Sequence, residues 1–420
     1  MNNQIMKIKL IAALFLFQLG FSQQKNCGTN LFMKKMENNP IAKQQHQDLQ
    51  NKFEIELLKL QNEQNRSASS TNATIIIPVA VHFPSVATNS TDKACLRQLA
   101  QNQIDILNAD FNATNSDIAL WTPTVSALYP GTNVGILNVK FVLATQNHPA
   151  GTGLANGQVA VTFGTNFLNG TNIDTQWRKY LNIVVKEAII ALGYSPTGGS
   201  PNNGETVVIN YDAFGSGPGC TGYSPGSFSI LGRTLTHELG HFFNLDHTFG
   251  DSTCNATNTD YVDDTPQCLA SGGTRCPVIG SVAGCVAGQK ALTMNYMDYT
   301  NDVCRFMFSA GQTTRMRAYL NVISSEFATN VLSNENFEFK DFTLFPNPNT
   351  GSFRISFQPE NNDKIEIIVY DMSGRNIYNK SFLNSGMFDQ ELQMNTISSG
   401  IYFVNIQNGS KKLVKRIIVE

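Results

Sequence analysis

The residues with the clearest chemistry form one stretch, His237-Glu238-Leu239-Gly240-His241-Phe242-Phe243-Asn244-Leu245-Asp246-His247. Three of the chain's 6 histidines lie in it. Two histidines four apart on a helix project from one face, which suits two ligands of one metal ion. Glu238 adjoins the first of them and can reach a water on that metal. His247 is too far along to share the face, so the helix must end and the chain must turn back before it. Three histidines with one open position are the pattern of a catalytic zinc rather than of a closed structural site.

The rest of the chain must deliver and protect that site. With 420 residues it can hold two or three domains. Its 30 basic and 32 acidic residues nearly balance, no basic stripe argues for nucleic acid, and the mildly acidic central part reads as solvated surface. Lys7 and Lys9 precede an apolar run, Leu10 to Phe17, which is too short to span a membrane; residues 1–22 therefore read as a signal peptide cut after Ser22. No later segment could span. Export places the 8 cysteines where disulfides persist.

Residues 23–71 are rich in Gln, Asn and Lys. Leu49, Phe53, Leu57, Leu58 and Leu60 recur at roughly helical spacing, as in a helical pro-segment. Cys27, near its start, has two readings: a thiolate latch filling the open metal position, or a spare or disulfide-bonded cysteine. The globular core begins at the β-rich run 74–83. His82 within it reads as a satisfied core histidine. Leu96, Leu99, Ile104, Leu107 and Phe111 mark an amphipathic helix, and 139–143, 181–185 and 206–210 read as strands. A Gly/Ser/Pro-rich loop from Gly215 to Ser227 leads into the histidine helix. This alternation predicts an α/β (α+β) domain over 72–330 with a central twisted sheet. Residues 250–289 lack periodicity and carry Cys254, Cys268, Cys276 and Cys285, so they need staples. A helix closes the domain, a polar linker covers 331–340, and short strands over 341–420 predict a small all-β, Ig-like sandwich.

The motif H-E-x-x-H-x-x-x-x-x-H, followed by Asn295-Tyr296-Met297-Asp298-Tyr299, resembles the metzincin metalloproteases. With Gly232-Arg233-Thr234, Asp263-Asp264-Thr265-Pro266 and Cys304, it resembles the pappalysin family among them. The resemblance covers about 72–330 and extends to the segment around Cys27. It implies a two-lobed catalytic domain, with His237, His241 and His247 as zinc ligands and Glu238 as general base. It further implies Met297 as the Met-turn residue, Tyr299 near the metal, and disulfides Cys254–Cys285 and Cys276–Cys304. Calcium is implied in the loop after the third histidine, with Asp260, Asp263, Asp264 and Thr265 as its candidates. Cys95, Cys220 and Cys268 stay unpaired in this scheme. One departure is Asn244, where the metzincin pattern has Gly. The helix must stop there with positive φ, and Asn is the next best residue for that conformation.

The last 80 or so residues resemble the C-terminal sorting domain of the type IX secretion system of Bacteroidota. Phe345-Pro346-Asn347-Pro348, Gly351, Gly374-Arg375, Ser399-Gly400-Ile401-Tyr402 and the basic run Lys411 to Arg416 carry the likeness. The expectation is a secreted or surface-attached zinc endopeptidase, made as a zymogen. Its partners would be protein or peptide substrates and the secretion machinery. The alternative is a surface-displayed binding or adhesion protein on a metalloprotease-like fold.

Overall fold

The structure is a computed structural model. It describes residues 27–66, 73–332 and 339–420, apart from 88, 165–174, 188–190, 227, 256, 258, 272–275, 360–362, 385, 395–396 and 410. The expected signal peptide and most of the expected linker lie outside the described residues. The chain divides into two compact units, Met1–Leu332 and Ser333–Glu420.

In the first unit the sheet is built around β1 (Ile75–Phe83), buried from Ile77 onward. Its near-continuous apolar run suits a strand covered on both faces. Its first half pairs in parallel with β2 (Val139–Leu143) and its end with β3 (Val161–Phe163). On its other side lies β4 (Leu181–Val185), also parallel, followed by β6 (Thr206–Ile209). The two-residue strand β5 (Gly193–Tyr194) pairs antiparallel with β6 and closes the order β2-β1-β4-β6-β5. Helix α3 (Lys93–Phe111) covers the β2 edge. Asn108 exchanges hydrogen bonds with the Phe141 backbone and Asn112 with that of Val139, which removes an open sheet edge.

Helix α4 (Arg233–Phe242) is buried along its whole length. Its entry is fixed by Gly232 at φ 69° and by Arg233, whose guanidinium makes two bonds to Asp117 at 2.5 and 2.7 Å. Helix α5 (Ala310–Ile323) opens with a capping box between Ser309 and Gln312. Two N-terminal helices, α1 (Thr29–Glu37) and α2 (Pro40–Arg66), belong to this unit. On α2, Leu49, Phe53 and Leu60 are buried in the main core. Phe53 meets the Tyr319 ring edge-on at 5.9 Å, and the Arg315 guanidinium lies 4.7 Å from its centroid. His82 is buried as expected, with Thr162 Oγ1 at 2.7 Å and Asn182 Oδ1 at 3.2 Å from its ring nitrogens.

Disulfides join Cys254 to Cys285 and Cys276 to Cys304, tying down the irregular loop. A third, Cys95–Cys220, pairs two cysteines that the sequence left open. Cys27 and Cys268 are free. The second unit is built of antiparallel sheets of four and three strands. Alternate residues such as Phe353, Ile355, Ile367, Val369, Val404 and Ile417 form its own core. Among the described residues no helix is long and apolar enough to cross a membrane.

Candidate metal centre

His237 and His241 lie on one face of α4. The helix ends at Phe242, and the chain reverses through Asn244 at φ 73°. The turn is held by Leu245 N donating to Gly240 O and by Arg315 Nε donating to Asn244 O at 2.9 Å. It carries His247 back so that its Nε2 sits 3.0 Å from that of His241 and 3.2 Å from that of His237. The Nδ1 atoms of His237 and His241 each lie 2.7 Å from a backbone carbonyl, of Tyr296 and Leu245. Those carbonyls require the proton on Nδ1, so each Nε2 presents a bare lone pair to the common point. Burial lowers all three imidazoles, His241 to about 4, which keeps them neutral.

Cys27 Sγ completes the cluster; the four donor atoms lie within 4.8 Å of one another. Neutral imidazole nitrogens packed this closely, beside a thiol, fit a soft or borderline divalent metal. Cys27 is delivered by a backbone bridge to the sheet edge, with Gly28 N donating to Gly193 O at 2.9 Å. Its thiol lies 3.4 Å from Glu238 Oε2, and Thr29 Oγ1 donates to the same oxygen at 3.3 Å. Glu238 is fully buried, and its Oε1 has no hydrogen-bond partner. Burial pushes its carboxyl up to about 8 and, with the Glu238 charge next, pushes the Cys27 thiol up as well.

Met297 lies directly against α4: a Cβ added at Gly240 would collide with its sulfur. Asn295 Oδ1 accepts from Met297 N, and Asn295 pairs with Gln312 through both amide groups. The Tyr299 ring packs 4.7 Å from that of His247 and 5.8 Å from that of His237. The acidic loop behaves differently. Asp264 accepts from Ser309 Oγ and Gly311 N and so caps α5; Asp260 accepts from Thr265 Oγ1 and Val262 N. Asp260, Asp263 and Asp264 do not form a second metal-ready cluster among the described residues.

Sequence reasoning missed Gln50. Its side-chain amide exchanges two hydrogen bonds with that of Asn244, at 3.0 and 3.1 Å, and so ties α2 to the turn of the metal motif. The Asn in place of Gly was the available signal. Thr29 and Gly193, which seat Cys27, had none.

Comparison with known proteins fits this geometry. The model of the pregnancy-associated plasma protein-A family matches residues 174–321. An extracellular metalloprotease of Colletotrichum graminicola is 30% identical over 270 residues, covering 61% of this chain and 82% of the relative. The chain belongs to this metalloprotease family. A second extracellular metalloprotease, from Sordaria macrospora, is 46% identical over 91 residues, which are 22% of this chain and 30% of the relative's length. A solved mutant of promirolysin from Tannerella forsythia is 29% identical, with a TM-score of 0.51, covering 71% of this chain and 95% of that one. Residues 343–420 of this metalloprotease match a secretion-system C-terminal sorting domain, so it is a secreted or cell-surface protein.

Proposed function

We propose that this metalloprotease is a zinc endopeptidase made as a zymogen. His237, His241 and His247 would hold the metal, with Glu238 as general base and Cys27 as the latch. Within the first unit, residues 23–71 would be the pro-segment and 72–330 the catalytic domain; 331–340 would be a linker and 341–420 the sorting domain. The convergence of the three histidine Nε2 atoms with Cys27 Sγ carries the reading. Zinc, when bound there, supplies a polarising charge for the substrate carbonyl and for water.

The chain's own residues do the proton work. Glu238 takes a proton from the attacking water and passes it to the leaving amine; its unpartnered Oε1 is free for this once the pro-segment has gone. Tyr299, beside His237 and His247, would donate a hydrogen bond to the carbonyl oxygen as it gains charge. Met297 supports the ligands from below by packing. In the precursor Cys27 sits against both Glu238 and the ligand set. Burial alone favours its thiol, and a bound dication would turn it to thiolate with release of a proton.

Calcium has narrower support, because the carboxylates of Asp260 and Asp264 already accept internal hydrogen bonds. A cation there would draw on Asp263 and backbone carbonyls, and calorimetric titration of the zinc-loaded protein reads its presence. A surface-binding role without catalysis would not need Glu238 and all three histidines in register. Cleavage of casein by the processed protein tests the peptidase reading. Chelation should abolish it, and Glu238→Gln should lower it by at least about 10²-fold with zinc retained. Equal cleavage by the Gln variant would end the reading. Cys27→Ala should give an unprocessed precursor that already cleaves; a silent one would remove the latch.

A further inference from the structure

Asp110, near the end of α3, is a buried carboxylate that takes no part in the proton transfers assigned to Glu238. Its Oδ2 accepts from Thr236 Oγ1 and its Oδ1 from the Tyr296 hydroxyl, each at 2.7 Å. Arg233 gives it less than a full ion pair. The Nη atoms of that guanidinium are taken by Asp117 and by the backbone carbonyls of Asp302 and Arg305, and Nε approaches Asp110 Oδ1 at 3.5 Å. Burying a carboxylate is costly, and an apolar side chain would fill the same space without that cost. What the carboxylate adds is two acceptors at a fixed separation.

Both donors lead to His237. Thr236 precedes it on α4, and successive helical residues point to different sides, so the bond to Thr236 holds the helix from a side away from the ligand face. Tyr296 carries the carbonyl that faces His237 Nδ1 at 2.7 Å. The rest of the residue aims that carbonyl: Tyr296 N donates to Met307 O at 3.0 Å, its ring centroid lies 4.8 Å from that of Phe308, and its hydroxyl ends on Asp110. A ligating histidine takes its ring orientation and tautomer from the partner of its other nitrogen. We propose that Asp110 is a positioning residue for the metal centre, clamping His237 from its backbone through Thr236 and from its ring through Tyr296. The proposal rests on the zinc reading above.

The test measures the zinc affinity of the full chain by competition with a chromophoric chelator, and the visible bands of its Co²⁺ form. Tyr296→Phe removes one oxygen and leaves the ring and the carbonyl, so it should fold. It should weaken zinc at least about tenfold, as loss of a ligand's outer partner does, and should shift the Co²⁺ bands. Asp110→Ala should weaken zinc at least as much. Asp110→Asn keeps one acceptor oxygen and should fall between wild type and Ala. Adding Tyr296→Phe to Asp110→Ala should change the affinity by less than about twofold, because the bond it removes is already gone. Leu107→Ala, in the same helix and fully buried, reports plain destabilisation: it should lower the thermal transition and leave zinc affinity and the Co²⁺ bands alone. Unchanged zinc affinity in Tyr296→Phe, losses that add in full in the double variant, or an equal loss in Leu107→Ala overturns the clamp and leaves the zinc reading standing. A wild type that takes up no stoichiometric zinc overturns both.

Discussion

At the residue scale, the metal motif depends on positions that carry no chemistry. Gly240 is one, since any Cβ there meets Met297 Sδ and then the Phe308 ring. Alanine is the better helix former by about 1 kcal/mol, but overpacking a buried site costs about 1–3 kcal/mol. Gly240→Ala should therefore lower the melting temperature and loosen zinc, read by calorimetry and by metal content after dialysis. Glu205 is a second case, away from the metal. It is buried, accepts from Ser200 N at 2.6 Å, and is pushed up to about 7 by burial and then by Glu326. A carboxyl whose folded pKa lies above its unfolded value binds more protons in the folded state between the two. Its contribution to stability therefore falls as pH rises from about 4.5 to 7. Glu205→Gln keeps the acceptor and should flatten that slope in denaturant titrations; an unchanged slope would assign it to other groups. The Asn244 departure was legible in the sequence, and so was its positive φ. Its partner was not, because Gln50 lies 194 residues away and is one of many glutamines in its segment.

At the element scale, the longest periodic segments were the most legible. Helix α2 showed in Leu49, Phe53, Leu57, Leu58 and Leu60; Leu49, Phe53 and Leu60 are buried, Leu57 is half-buried and Leu58 is exposed. The parallel strands β1, β2, β4 and β6 showed as apolar runs; the short parallel strand β3 did not. The two-residue strand β5 did not, because Gly193-Tyr194 has no period to read, although it is the edge that receives Cys27. Docking of α2 rests on Phe53, fully buried against Tyr319 and Arg315. Phe53→Ala should cost about 3–5 kcal/mol of that docking. The precursor should then show peptidase activity before processing and faster proteolysis of residues 40–66. A precursor that stays silent and protected would place the hold on the pro-segment in Cys27 alone.

At the scale of the whole molecule, the two units have separate cores, which predicts that each folds without the other. A chain ending at Leu332 should keep the thermal transition and peptidase activity of the first unit, and residues 339–420 alone should give a cooperative β-sheet transition. Loss of the first transition on truncation would contradict this independence. The long-range staple Cys95–Cys220 is a whole-molecule feature too. It spans 125 residues and joins the start of α3 to the loop before α4. No spacing rule pairs cysteines so far apart.

The sequence by itself determined the site's chemistry. A helix puts residues four apart on one face, and a Met-turn phrase downstream restricts what that face can be. It also pointed to a division into chemically distinct segments, because apolar runs and polar stretches are local in composition. Only the tertiary structure decided which atoms meet. It brought Cys27 to the ligand set across a sheet edge, Gln50 to Asn244, and Asp110 to Thr236 and Tyr296. It also set Asp264, a calcium candidate, at the start of α5, where its carboxylate accepts from Ser309 Oγ and Gly311 N. Those pairings depend on how α2, α3, β5, α4 and α5 pack. Packing is settled by shape and burial summed over the whole core, which no local pattern encodes.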